Sequence, residues 1–245
     1  MTTVLIHGVP DTARVWNRLL PLLPDEHVVA LDLPGFGCGW PAGFEPTKER
    51  YLAWIIDALE AIPGPLDVVA HDWGSILMLR VLTLRPDLIR SWAGGGAPFS
   101  ADYAWHPTAR LWQTPGAGEK AMDRLTPDIA VDMLRRAGLP ETDARVTAAN
   151  IDPRMKESIL GLYRSGRDVF ATWGPELAGL RDRVPGLVLW GETDPYAEPR
   201  FAERIGEATG ARVACFEGCG HWWQVERPEE TAAAIVSFRQ AAGLS

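Results

Sequence analysis

The chain has 245 residues, 47% apolar and 23% charged, and its net charge is -8, from 24 Lys+Arg against 32 Asp+Glu. That length allows one domain, or one domain with a large insertion, and the composition excludes a disordered chain. The acidity argues against nucleic acid or an anionic membrane as partner, and no apolar run is long enough to span a bilayer.

Val4 to His7 reads as a short buried strand running into a turn at Gly8, Pro10 and Asp11. A helix is expected next, with Trp16, Leu19 and Leu20 on one face. His27 to Leu33 is the second strand, closed by Pro34-Gly35-Phe36-Gly37. Thr47 is placed to cap a helix through Ile62, with Leu52, Ile55, Ile56 and Leu59 at helical spacing. A strand at Leu66 to Ala70, a helix from Gly74 to Arg85 and a strand at Ile89 to Ala93 follow. From about Ser100 to Leu180 strand signals vanish, and a helical insertion is expected. Strands resume at Leu187 to Trp190 and Ala211 to Phe216, with helices near Pro199 to Ala208 and Pro228 to Ala241.

This alternation predicts an α/β fold: six mostly parallel strands covered on both faces, with ligands bound at the strands' carboxyl ends. The expected core is residues 1–99 and 181–245, and the helical cap is 100–180. Cys38, Cys215 and Cys219 make no disulfide framework. Cys215, Cys219 and His221 are close enough in sequence to suggest a metal site, but no fourth ligand is evident. Small residues at a strand end are the better reading, and neither metal nor organic cofactor is expected. The N-terminus has no basic segment followed by a long apolar run, so the cytoplasm is the default location.

The residues with chemistry sit just after strands. In Val68-Val69-Ala70-His71-Asp72-Trp73-Gly74-Ser75 a strand ends, one acidic residue occupies the tip, and a helix begins. This is the position of a nucleophile elbow, with Asp72 where Ser is usual. A carboxylate near a helix N-terminus is held ionised and can attack carbon to form an ester. The competing reading of Asp72 alone is a plain helix cap, and Ser75 is expected to point away. Asp194 follows one strand and His221 the last, so the chain order is nucleophile, acid, histidine. A histidine held by a carboxylate acts as general base. The N–H groups of Val9 and Trp73 are candidates for an oxyanion hole, although Gly8-Val9-Pro10 also reads as a simple turn.

The sequence resembles the alpha/beta-hydrolase superfamily along nearly its whole length, and within it the epoxide hydrolases. The matching runs are His7-Gly8-Val9-Pro10-Asp11, Asp32 to Gly37, His71-Asp72-Trp73-Gly74, Gly191 to Asp194, and Gly220 to Pro228. The Asp-Trp-Gly elbow is shared with haloalkane dehalogenases. The resemblance implies that Asp72 opens an epoxide as an ester, and that His221, oriented by Asp194, activates water to release a diol. It also implies two ring-opening acids in the cap. Tyr163, in Gly161-Leu162-Tyr163-Arg164, matches the second. For the first, the simplest offset gives Thr108, while Tyr103, Trp105 and His106 stand nearby. Some relatives use His there, which favours His106 with Tyr103 behind it. A loop histidine before Pro107 is the equally open alternative.

Most relatives carry about two strands before the His-Gly motif. Here the motif strand comes first, which predicts a six-stranded sheet in the order 2-1-3-4-5-6 and an open edge that oligomerisation would cover. A dehalogenase reading needs two N–H donors for halide. Trp73 supplies one, Val9 cannot supply the other from its side chain, and Trp105 or Trp112 would have to. A fluoroacetate-type dehalogenase lacks its arginines, and a serine esterase lacks its serine. A non-catalytic binding protein of this fold usually lacks a triad member. Of the eleven tryptophans, Trp73, Trp105, Trp112 and Trp222 are expected to wall an apolar pocket with Tyr103. Packing of the cap onto the sheet is the alternative use. The expected substrate is a small apolar or aromatic epoxide, together with water.

Overall fold

The computed structural model describes residues 2–25 and 27–244. Strands β1 (Thr2–Ile6), β2 (His27–Leu31), β3 (Leu66–His71), β4 (Ile89–Gly95), β5 (Gly186–Gly191) and β6 (Arg212–Phe216) form one sheet in the order β2-β1-β3-β4-β5-β6. Every neighbouring pair is parallel. The sequence reading of fold class and strand order therefore holds. The inner strands β3 and β5 are buried along their whole length, as their Val- and Leu-rich runs require, while the edges β2 and β6 are largely accessible.

Alternating side chains of β1 feed two separate cores, because successive strand residues face opposite sides. Val4 and Ile6 join Val68, Trp73, Ile55 and Trp92 on one face. Leu5 joins Val69, Leu189, Trp223 and Ile235 on the other.

Helix α1 (Lys48–Glu60) starts at Thr47, whose side chain accepts the Arg50 N–H, and buries Tyr51, Leu52, Ile55 and Leu59. Helix α2 (Trp73–Leu84) is apolar around most of its circumference because the sheet, α1 and the 3₁₀ turn Gly174–Leu180 pack around it, and it stops just before Pro86. Six helices lie between β4 and β5. They are α3 (Pro107–Gln113), α4 (Ala117–Arg124), α5 (Pro127–Arg136), α6 (Glu141–Ala149), α7 (Pro153–Ser165) and α8 (Val169–Trp173). Three of them begin with a side-chain cap followed by proline: His106-Pro107, Thr126-Pro127 and Asp152-Pro153. Proline costs nothing there, since a first-turn N–H has no partner within the helix. The chain closes with α9 (Arg200–Thr209), α10 (Trp223–Glu226) and α11 (Pro228–Ala241).

The helix expected after β1 is instead two short 3₁₀ turns, Ala13–Trp16 and Leu20–Leu22. Pro21 and Pro24 prevent an α-helix from propagating through this segment. Val15, Trp16 and Leu19 are still buried, but Leu20 is only half-buried. The second strand ends at Leu31 rather than Leu33, because the Leu33 N–H donates to Nε2 of His7 at 3.0 Å and leaves the ladder. Among the described residues no helix is long and apolar enough to cross a membrane.

Candidate active site

Asp72 sits at the turn between β3 and α2 with φ +51° and ψ -122°, a left-handed backbone shared by only one other non-glycine among the described residues, Asp182. Glycines make this turn possible. A Cβ at Gly74 would collide with the carbonyl oxygens of Ile6 and His7, and a Cβ at Gly8 would collide with the Asp72 side chain. The carboxylate does not cap α2. Its Oδ1 accepts the Val9 N–H at 2.8 Å, so the simple helix-cap reading of Asp72 fails. Burial raises its pKa to about 6, against the opposing pull of His221 and of the Val9 and Trp73 N–H groups. Its side chain still keeps 16% of its surface accessible, enough to meet a ligand. Ser75 points away, its hydroxyl donating to the carbonyls of Ala70 and Gly95.

His221 follows β6, and its Nδ1–H donates to Oδ2 of Asp194 at 2.8 Å. That bond sets the tautomer and turns Nε2 toward Asp72, whose Oδ2 lies 3.8 Å away. Asp194, after β5, is fixed in turn by the N–H groups of Tyr196 at 2.8 Å and Ala197 at 3.4 Å. Burial opposes charge on His221, but the charge and hydrogen bond of Asp194, with Asp72 and Asp11 behind, prevail and raise its pKa to about 9. The three residues picked from strand ends thus meet in one place.

An enclosed cavity covers them. Val9, Asp72, Trp73 and Trp222 wall it from the core, and Tyr103, Trp105, His106, Thr108, Trp112 and Tyr163 from the insertion. No lysine or arginine lines it. Tyr163, on α7, is buried and packs edge-on against Trp73 and Trp112, at 5.3 and 5.0 Å between ring centroids. Burial, and then the charge of Asp72, keep its phenol protonated far above neutral pH. His106 spends Nδ1 accepting the Ala109 N–H at the start of α3, which leaves the proton on Nε2. Burial, and then the positive charge of His221, lower its pKa to about 4. Tyr103 donates to the Tyr196 carbonyl at 2.9 Å, and the Trp105 indole donates to the Arg167 carbonyl at 3.1 Å. Trp105 also stacks on Trp73 at 5.9 Å. Two other tryptophans near the site in sequence, Trp173 and Trp223, lie in the cores rather than in the cavity wall.

Three residues here carried no role in the sequence reading. Asp11 is fully enclosed, accepts the Trp222 indole N–H at 2.9 Å on Oδ2, and leaves Oδ1 without a partner. His71, just before Asp72, puts Nε2 3.0 Å from the His221 carbonyl. Tyr196 lays its ring against His221 and lines the cavity. Among the described residues no cluster of three His, Cys, Asp or Glu could hold a metal ion. Both His221 nitrogens face carboxylates rather than Cys215 or Cys219.

The chain matches the alpha/beta hydrolase family over residues 3–234, and it belongs to that family. It is 26% identical to epoxide hydrolase A of Mycobacterium tuberculosis, across 96% of this chain and 89% of that one. It is 30% identical to (E)-2-((N-methylformamido)methylene)succinate hydrolase of Acinetobacter baylyi, with the same coverage of 96% and 89%. The structure of haloalkane dehalogenase DbeA from Bradyrhizobium elkani superposes with a TM-score of 0.75 at 24% identity, covering 98% of this chain and 91% of that one. That likeness speaks to the fold alone.

Proposed function

We propose that the protein hydrolyses an uncharged epoxide to a vicinal diol through an ester on Asp72. The observation that carries this reading is a carboxylate at a strained elbow, with one oxygen on the Val9 N–H and the other turned to a His221–Asp194 pair. Oδ2 of Asp72 attacks a ring carbon, the ring C–O bond breaks, and the freed oxygen takes the Tyr163 proton. Esterification removes the negative charge of Asp72, which had helped hold His221 protonated. His221 then passes its proton to the Tyr163 phenolate and becomes a base.

Water attacks Cγ of the ester as His221 takes one of its protons. The negative charge that develops on Oδ1 falls on the Val9 and Trp73 N–H groups. Collapse frees the diol oxygen, which takes the second water proton. One epoxide and one water give one diol, and Asp72, His221 and Tyr163 regain their starting protons. The aromatic cavity without a cationic side chain favours an apolar or aryl substrate over a carboxylated one.

A second reading, haloalkane dehalogenation, rests on the Trp73 indole N–H, which is buried without a partner and so is free to hold a halide. It is weakened at Trp105, whose N–H is already spent on Arg167. The test is the intact mass of His221→Ala mixed with a panel of epoxides and haloalkanes. A gain of the whole epoxide, mapped to Asp72, supports the proposal. A gain of an alkyl group without its halogen supports the second reading, and no adduct with any member points to a fold that binds without catalysing.

A further inference from the structure

The chain contains four tyrosines. Tyr51 donates to the Pro34 carbonyl at 2.7 Å, remote from the nucleophile, and Tyr103 donates to the Tyr196 carbonyl at 2.9 Å. The hydroxyls of Tyr163 and Tyr196 donate to no described residue, and both side chains line the cavity that holds Asp72. They come from opposite sides. Tyr163 stands on α7 of the insertion, and Tyr196 on the core loop that carries the acid of the triad.

Tyr196 is rigidly held. Its N–H donates to Oδ1 of Asp194 at 2.8 Å, and Pro195 stiffens the link between the two. Its ring meets the His221 ring edge-on at 4.8 Å, and the His106 ring lies 4.7 Å away. The three rings thus run in the order His221, Tyr196, His106, which puts His106 one ring further from His221.

We propose that Tyr196 is the second proton donor of ring opening, acting with Tyr163 on the epoxide oxygen, and that His106 buttresses it. This rests on the epoxide reading above. One phenol transfers its proton to the freed oxygen while the other hydrogen-bonds to it, and the single phenolate formed is reprotonated from His221 as before. Burial, and then the charges of Asp194, Asp72 and Asp11, keep the Tyr196 phenol protonated, as a donor must be.

The test is single-turnover ring opening of styrene oxide and p-nitrostyrene oxide by wild type, Tyr196→Phe and His106→Gln, with ester formation and ester hydrolysis followed separately. Tyr196→Phe is expected to slow ester formation from styrene oxide about 100-fold, while hydrolysis of the ester is much less affected. Where attack falls on the terminal carbon, the loss should be smaller with p-nitrostyrene oxide, whose benzylic leaving oxygen is less basic and needs less acid assistance. A role in packing alone would slow both substrates equally, and that result overturns the proposal. So does a larger loss in His106→Gln than in Tyr196→Phe. If His221→Ala forms no ester with any epoxide, the epoxide reading itself falls and takes the Tyr196 role with it. If the ester forms and Tyr196→Phe opens both rings at the wild-type rate, only the Tyr196 role falls.

Discussion

The Val9 N–H donates to Oδ1 of Asp72 at 2.8 Å, while Oδ2 lies 3.8 Å from Nε2 of His221. The two oxygens of one carboxylate therefore have different fates. In the proposed reaction Oδ1 occupies the place where the oxyanion forms, and Oδ2 is the oxygen that attacks carbon.

Attack requires the anion, and burial sets the Asp72 pKa at about 6. Protonation removes the nucleophile, so the rate of ester formation should fall about tenfold per pH unit below 6 and level off above it. Stopped-flow single turnovers between pH 5 and 8 measure this directly. Asp72→Ala should form no adduct and show no turnover at any of these pH values. Substantial residual activity would exclude the covalent route.

Asp194→Asn should separate the two half-reactions. The amide can donate to Nδ1 of His221, which would move the ring proton to Nε2 and leave no lone pair for water. Ester hydrolysis should fall by about 10⁴, the size of the effect when a triad acid becomes an amide. Ring opening, which needs no base, should fall far less. The ester should then accumulate under turnover and be visible by intact mass.

Order along the chain was enough to read the sheet and to single out three candidate residues at strand ends. Short Val- and Leu-rich runs ended at turns, and the three candidate residues each followed a strand, so the parallel topology brought Asp72, Asp194 and His221 together at the carboxyl ends of the strands. What stayed hidden depends on packing between distant segments. Asp11 meets Trp222 across 211 positions, and nothing local marks either as a partner. Tyr196 had a usable signal, since it follows Asp194 by two residues at the same strand end. The segment after β1 misled because its apolar spacing was helical while its prolines were not.

Neither glycine at the elbow should tolerate alanine. In Gly74→Ala the new Cβ meets the backbone oxygens of Ile6 and His7, which cannot rotate away. The cost should be about 1–3 kcal/mol, seen as a fall of several degrees in Tm. In Gly8→Ala the nearest atom is the Asp72 Cβ, which no rotation of that side chain moves, and the carboxylate lies just behind it. That variant should lose Tm to a similar degree and also lose ester formation, because Asp72 is pushed off the Val9 N–H. Wild-type ester formation in Gly8→Ala would mean that the backbone of the elbow can yield there.

Asp11 offers a test of charge beneath the site. Burial raises its pKa to about 7, the Trp222 N–H pulls it down, Asp72 pushes it up and His221 pulls it down. The Nδ1 of His71, also without a hydrogen-bond partner, lies 3.8 Å from its Oδ2. A carboxyl whose pKa is higher folded than unfolded binds its proton more tightly in the native state. Its contribution is therefore intact below the unfolded value near 4 and is lost as pH rises toward 7. Asp72, shifted the same way, adds to the slope. His7 and His71, buried and neutral, contribute in the opposite sense as pH falls. Asp11→Asn mimics the protonated acid, since its oxygen can accept from Trp222 and its amide can donate toward His71. The Tm of the variant relative to wild type should therefore rise from pH 5 to about pH 7 and level off above it. A constant difference would mean that Asp11 is ionised in the folded protein throughout that range, and that the space beneath His221 holds a third negative charge.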